Sequence, residues 1–138
     1  MIAKQQALDF IYELSQNFII SFDVTNNSYS YLNISSPNDF ETIGVEDKLN
    51  SLEVLVTKLI KEYMEVFIPY IDKIPVDIDI LEVGQAYQIE LDDWYDGCHT
   101  VHIFKYTGRK EQYYCFEDEH KNTWKYEAKD FYQLWRVK

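Results

Sequence analysis

Glycine and proline are scarce: four Gly and three Pro in 138 residues. That shortage excludes collagen-like and linker-rich architectures and leaves no low-complexity stretch. It also leaves little material for a glycine-rich phosphate cradle, and P-loop, dinucleotide-binding and Gly-x-Ser-x-Gly patterns are absent. Cysteine is limited to Cys98 and Cys115. Two thiols build no disulfide scaffold and fit a reducing compartment. Long apolar runs are missing too, and none approaches the roughly 18–20 residues that a membrane span needs. At the start of the chain, Asp9 and Glu13 interrupt the run that follows Met1-Ile2-Ala3-Lys4-Gln5-Gln6, so no signal-peptide core forms there. The expectation is a cytoplasmic protein without a membrane partner. Bases are also in short supply: 13 Lys and Arg stand against 24 Asp and Glu, a net charge of −11. Such a chain repels phosphate backbones and anionic lipid, which argues against direct nucleic-acid binding.

Aromatic residues are abundant. Twelve Tyr, eight Phe and three Trp make up 17% of the chain. They supply the large apolar area that a well-packed core requires and argue against disorder. The length suits one domain, or two very small ones.

The hydrophobic period divides the chain. Residues 2–17 read as an amphipathic helix, with Ala7, Phe10, Ile11 and Leu14 at helical spacing. From Phe18 the period becomes two, setting Phe18, Ile20, Phe22 and Val24 on one face. Asn26-Asn27-Ser28 is turn chemistry, and Ser28 to Ile34 reads as a returning strand. Glu41 to Val45 fits a short third strand. Residues 46–68 carry a second helical stripe of Leu49, Leu52, Leu55, Val56, Leu59, Ile60, Tyr63 and Phe67, ended by Pro69.

After Pro75 the pattern is β throughout. Val76-Asp77-Ile78-Asp79-Ile80 alternates, Gln85 to Leu91 continues as strand, and Asp92 to Gly97 reads as a loop. Thr100–Tyr106 and Glu111–Glu117 flank a predicted hairpin turn at Thr107-Gly108-Arg109-Lys110. Thr123 to Ala128 forms another strand. Asp130 to Leu134 reads as a helical turn before a last strand at 135–137. The expected class is α+β. Residues 1–70 make a helix, a β-hairpin and a long helix; residues 76–138 make a small antiparallel barrel of five strands. That strand order, with a turn before the last strand, is the one an SH3-like barrel uses. The two parts are either separate or merged into one domain.

The charge is uneven. From Asp72 to Asp96, eight acids face Lys73 alone, a net of −7, whereas the chain from Gly97 onward is net +2. A second cluster, Asp39, Glu41, Glu46 and Asp47, leads into the predicted long helix, where acids complement the helix dipole. In the first cluster, Asp77 and Asp79 would share a strand face, and Asp92, Asp93 and Asp96 would crowd a loop with Trp94 and Tyr95. Carboxylates beside aromatic side chains suit a cationic protein surface: the rings give desolvated contact and the charges steer encounter. A merely solvated acidic face is the plainer explanation.

Motifs for chemistry are weak. Asp92 to Gly97 superficially resembles a calcium loop, but Trp94 stands at the third position and Ile103 at the twelfth. Cys98, His99, His102, Cys115 and His120 lie close in sequence. Pairing strands about Gly108-Arg109 would set His102 opposite Cys115, with Cys98 further along that face. No zinc-ligand spacing accompanies them. A Cys–His nucleophile would also need an oxyanion device, and none is visible. Neither metal, cofactor nor catalysis is therefore expected.

Three functional readings follow. The first is an acidic inhibitor docking on a basic, nucleic-acid-binding partner such as a nuclease, through Asp77, Asp79, Asp92, Asp93, Trp94, Tyr95 and Asp96. Phage anti-defence proteins (anti-CRISPR and anti-restriction) and nuclease-immunity proteins are of this class. The second is an SH3-like module presenting Trp94, Tyr95 and neighbouring aromatics to a proline-rich or basic peptide. The third, an enzyme, has least support.

Overall fold

The computed structural model describes residues 2–25, 28–36, 42–95 and 98–137, and of residues 93–95, 98 and 99 the backbone only. These residues form two α-helices, nine strands and two 3₁₀ turns. The chain divides into two units, Met1–Asp72 and Lys73–Lys138.

In the first unit, helix α1 spans Lys4–Leu14 and buries Ala7, Phe10 and Leu14 together with Gln6. The Gln6 side chain is not idle: its Oε1 accepts the Ala3 backbone N–H at 3.3 Å, satisfying a donor at the helix start. The helix stops three residues before the predicted end. The Ser15 hydroxyl donates to the Tyr12 carbonyl at 2.6 Å, so a local polar bond competes with further helix.

Strands β1 (Ile19–Thr25) and β2 (Tyr29–Ser35) form the expected hairpin, in register from Ile19 opposite Ser35 to Thr25 opposite Tyr29. Strand β3 (Ile43–Asp47) pairs on the far side of β2, giving the order β1-β2-β3. Helix α2 spans Leu52–Phe67 rather than starting at 46. Glu46 and Asp47 belong to β3, and Leu49, with φ of 31°, is an exposed turn residue and not part of the helical stripe. So Glu46 and Asp47 are not helix-start charges. The acid in the first turn of α2 is Glu53, while Asp39 and Glu41 lie outside the described residues.

The core of this unit joins Leu55, Val56, Leu59, Ile60 and Phe67 of α2 to Leu32 and Ile34 of β2 and to the buried side of α1. Phe67 meets Phe10 edge-on at 5.7 Å and Phe18 at 6.3 Å. On the sheet's other face, Asn33 packs directly over Gly44, opposite it in the ladder. A Cβ at residue 44 would collide with Asn33 Oδ1 and lie 2.7 Å from the Leu32 carbonyl oxygen. Backbone cannot retreat as a flexible side chain can. Gly44→Ala is therefore expected to destabilise the protein by about 1–3 kcal/mol, measured by chemical denaturation. An unchanged midpoint would contradict this close approach.

The second unit is built from strands and short turns. Strand β4 is Lys73–Pro75, and a 3₁₀ turn follows at Ile78–Ile80. Then come β5 (Ala86–Tyr95), β6 (Cys98–Lys110), β7 (Tyr113–Glu117) and β8 (Thr123–Glu127). A second 3₁₀ turn at Ala128–Asp130 leads into β9 (Phe131–Val137). All pairings are antiparallel and the order is β4-β9-β5-β6-β7-β8. The sheet has six strands with β4 and β8 at its edges, so among the described residues no closed five-stranded barrel forms. Tyr87, Ile89, Phe104, Tyr106, Tyr114, Phe116 and Leu134 are buried. Lys73 Nζ lies 4.4 Å from the Trp135 ring centre, a cation–π contact across the β4–β9 pair.

Four local expectations fail here, each for a physical reason. The alternating segment 76–80 is no strand; Asp77 caps a 3₁₀ turn, its Oδ1 accepting the Asp79 N–H at 3.5 Å. The β6–β7 turn is Glu111-Gln112, with Glu111 at φ of 57°, and Thr107 to Lys110 are strand. Gly108, at φ of 138°, instead sits at a break in the ladder between Tyr106 and itself, the bulge position that suits glycine. The turn expected at Asp130 to Leu134 lies at Ala128–Asp130, and those later residues belong to β9. Asp92, Asp93, Trp94 and Tyr95 are the end of β5, not a loop.

Candidate functional site

The acids of the net −7 segment occupy different local environments. Asp77 is half-buried and holds the 3₁₀ turn, whereas Asp79 beside it is exposed. Glu82 Oε1 lies 3.5 Å from Arg136 Nη1, and its backbone N–H donates to the Tyr87 hydroxyl at 2.8 Å. Burial pushes the Tyr87 phenol above its ordinary pKa, so that hydroxyl stays neutral. Glu90 Oε1 accepts from Gln88 Nε2 at 3.3 Å on β5. Asp92 is exposed two residues on. Asp93, Trp94 and Tyr95 follow on the same strand, and the β5–β6 ladder is irregular between Leu91 and Tyr95. Asp96 and the expected Asp96-Gly97 turn lie outside the described residues.

Strand levels relate these groups. The Val76 N–H donates to the Leu134 carbonyl at 3.1 Å, and Leu134 stands opposite Ile89. Asp77 thus leaves the sheet beside β9 near the level at which β5 carries Glu90. Asp77 and Asp79 do not share a strand face with each other. The turn sets them on the opposite side of β9 from β5, about two strand spacings or roughly 10 Å away.

The observed ladder separates His102 from Cys115. His102 faces Ile89 of β5, and Cys115 faces Gly108. On β6 those positions are six residues apart, roughly 20 Å of strand. The expected pairing fails because the turn lies further along the chain, at Glu111-Gln112. No group of three or more His, Cys, Asp or Glu side chains suited to a metal occurs among the described residues. No helix among them is long and apolar enough to cross a membrane.

His102 takes part in a stack that the sequence reading missed. Its ring lies 4.8 Å from Phe104 at 10° between planes, and Phe104 lies 5.8 Å from Trp124 at 9°. Trp124 is 43% exposed although its ring rests on a buried phenylalanine. Its indole N–H donates to Asp118 Oδ2 at 3.1 Å. Asp118 also accepts the backbone N–H groups of His120 and Asn122, each at 2.9 Å. One carboxylate therefore organises the β7–β8 turn and fixes the indole. The available signal was Asp118 at the start of a turn with Asn122 and Trp124 following, a pattern in which an Asp side chain satisfies backbone donors downstream. The exposed indole face beside carboxylates suits a guanidinium or ammonium group.

The Trp124 indole N–H chiefly, with the Asn122 and His120 donors, holds the Asp118 carboxyl below its ordinary value of 3.8. A depressed carboxyl favours the folded turn above that ordinary value and loses the contribution as pH falls through the lower folded one. The Trp124 indole N–H resonance is expected to shift in an acid step centred below pH 3.8. Asp118→Asn should abolish that step. The same titration in the variant would show that another group sets it.

The chain matches no protein-family model, no curated protein and no solved structure.

Proposed function

We propose that this chain is an acidic binding protein that docks on a basic, nucleic-acid-binding surface of a partner protein. Its carboxylates take the places that nucleic-acid phosphates would occupy. The observation that carries this reading is the concentration of charge: net −7 from Asp72 to Asp96, against +2 in the remainder of the C-terminal half. Exposed Asp79 and Asp92 lie in that segment, with Asp93, Trp94, Tyr95 and Asp96 following. Asp77 supports the turn that presents Asp79. Work in the cytoplasm against a nuclease or another defence effector fits this chemistry, as in anti-CRISPR, anti-restriction and nuclease-immunity proteins. No catalytic step and no cofactor is part of the proposal.

The test is affinity capture with a competitor. Immobilised wild-type protein should retain a nucleic-acid-binding protein at low salt and release it on addition of double-stranded DNA. Retention that DNA does not reverse would count against phosphate mimicry.

A second reading has its own support. The order β9-β5-β6-β7-β8, with a 3₁₀ turn before the last strand, is consistent with an SH3-like connectivity opened at one edge. The exposed Trp124 face offers a seat for a proline-rich or basic peptide. In this reading Trp124→Ala abolishes peptide binding, while loss of Asp92 has little effect.

A further inference from the structure

Among the described residues, four strands form the edges of the two sheets: β1 and β3 in the first unit, β4 and β8 in the second. Open edges present unpaired N–H and C=O groups, and proteins blunt them with short length, lysine, proline, charge or bulges. Three of the four carry such devices. Strand β3 ends in Glu46 and Asp47, and Lys58 Nζ donates to its Glu46 carbonyl at 2.8 Å. Strand β4 is three residues long and contains Lys73 and Pro75. Strand β8 carries Lys125 and Glu127.

Strand β1 carries one alone, the acid Asp23. It has seven residues, Ile19-Ile20-Ser21-Phe22-Asp23-Val24-Thr25, with one charge, no proline, no lysine and no irregularity in its ladder with β2. Ile20, Phe22 and Val24 stand beside Ile34, Leu32 and Ser30, so they point to the side of the sheet that is buried on β2. Yet Phe22 is 46% and Val24 52% exposed, because α2 lies over β2 and β3. Of the predicted apolar face, Phe18 is buried and Ile20 half-buried, while Phe22 and Val24 at the far end of β1 are uncovered.

We propose that β1 pairs antiparallel with β1 of a second copy of this chain, joining two three-stranded sheets about a twofold axis at Phe22. The strand is self-complementary in that register. Phe22 faces Phe22, Ile20 faces Val24, Ile19 faces Thr25, and Ser21 faces Asp23. All seven residues pair, and the apolar face of one copy continues into that of the other. Charge selects this arrangement in a chain of net −11. The single acid meets a serine hydroxyl, which donates to it, and never meets its own copy. A shift that centred the axis on Asp23 would set carboxylate on carboxylate, and a one-residue slip would reverse the faces. The partner is thus a second copy rather than a foreign strand.

Sedimentation equilibrium of the full chain tests the proposal. The wild type should dimerise in the micromolar range. Phe22→Lys, which sets two ammonium groups together at the axis, should be monomeric with an unchanged far-UV circular dichroism spectrum. Two milder substitutions read the register without touching the apolar face. Ser21→Lys faces Asp23 of the other copy and should tighten the dimer, whereas Ser21→Asp faces the same carboxylate and should weaken it about tenfold, since the pair occurs twice. A wild type that stays monomeric to millimolar concentration overturns the proposal. So do equal dissociation constants for the two Ser21 variants, even if Phe22→Lys fails to fold.

Discussion

Phe116→Ala is expected to remove about 3–5 kcal/mol from the stability of the second unit. Phe116 is fully buried on β7. Its ring lies 5.3 Å from Tyr106, 6.1 Å from Tyr126 and 6.0 Å from Phe131, so it joins β6, β8 and β9 at one point. Those neighbours are rings held by the backbone of three strands, and they cannot collapse into the space of a lost phenyl without breaking ladder bonds. The cavity term therefore adds nearly in full to the lost transfer energy. A small unit has a total stability of only about 5 kcal/mol. The variant should thus keep at most about 2 kcal/mol in this half, with its urea midpoint shifted far down and its near-UV circular dichroism reduced at room temperature. Trp124→Ala is the control. Trp124 is 43% exposed, so its removal returns less apolar area to water, and a loss of about 1 kcal/mol is expected. A Phe116→Ala cost no larger than that of Trp124→Ala would show that the aromatic cluster is not the centre of the sheet's packing.

Much of the element order was legible because burial imposes a period. Leu55, Val56, Leu59, Ile60 and Phe67 recur at helical spacing and are the buried residues of α2. The β1–β2 hairpin was readable from a period of two on either side of a turn. Failure came where a local polar group decides the geometry. Val76-Asp77-Ile78-Asp79-Ile80 alternates like a strand, but the Asp77 carboxylate takes the Asp79 N–H and closes a 3₁₀ turn. No count of apolar residues detects that bond. Gly108 looked like a hairpin turn because glycine suits positive φ, yet here it serves a bulge while Glu111 takes the turn. That displacement moved His102 away from Cys115 and with it any shared chemistry. The stack of His102, Phe104 and Trp124 was illegible for another reason: Trp124 stands opposite Phe116 in the ladder and leans onto β6, a direction that pairing does not specify. Of the candidate site, the acidic segment was readable as charge, while its division between a capping Asp77 and an exposed Asp79 was not.

The substitutions Asp79→Lys, Asp92→Lys and Asp93→Lys together carry the largest expected effect on function. Asp79 and Asp92 are exposed, so reversing them should leave the fold intact, with an unchanged thermal midpoint. One exposed ion pair contributes only about 0.2–1 kcal/mol, and any single reversal would be hard to read. Three reversals convert attraction to repulsion at three places and change the net charge of the segment from −7 to about −1. Association with a basic partner is steered by that field, so the on-rate at low salt should fall at least about tenfold. The on-rate of the triple variant should also become nearly independent of ionic strength, whereas that of the wild type falls as salt rises. Trp94 separates steering from contact. If its ring is buried at the partner, Trp94→Ala raises the off-rate by about 30-fold, equivalent to about 2 kcal/mol, with little change in on-rate. Surface plasmon resonance at several salt concentrations reads both constants with the DNA-displaceable partner. A triple variant that associates as fast as the wild type, with the same salt dependence, would assign the charge to solubility alone.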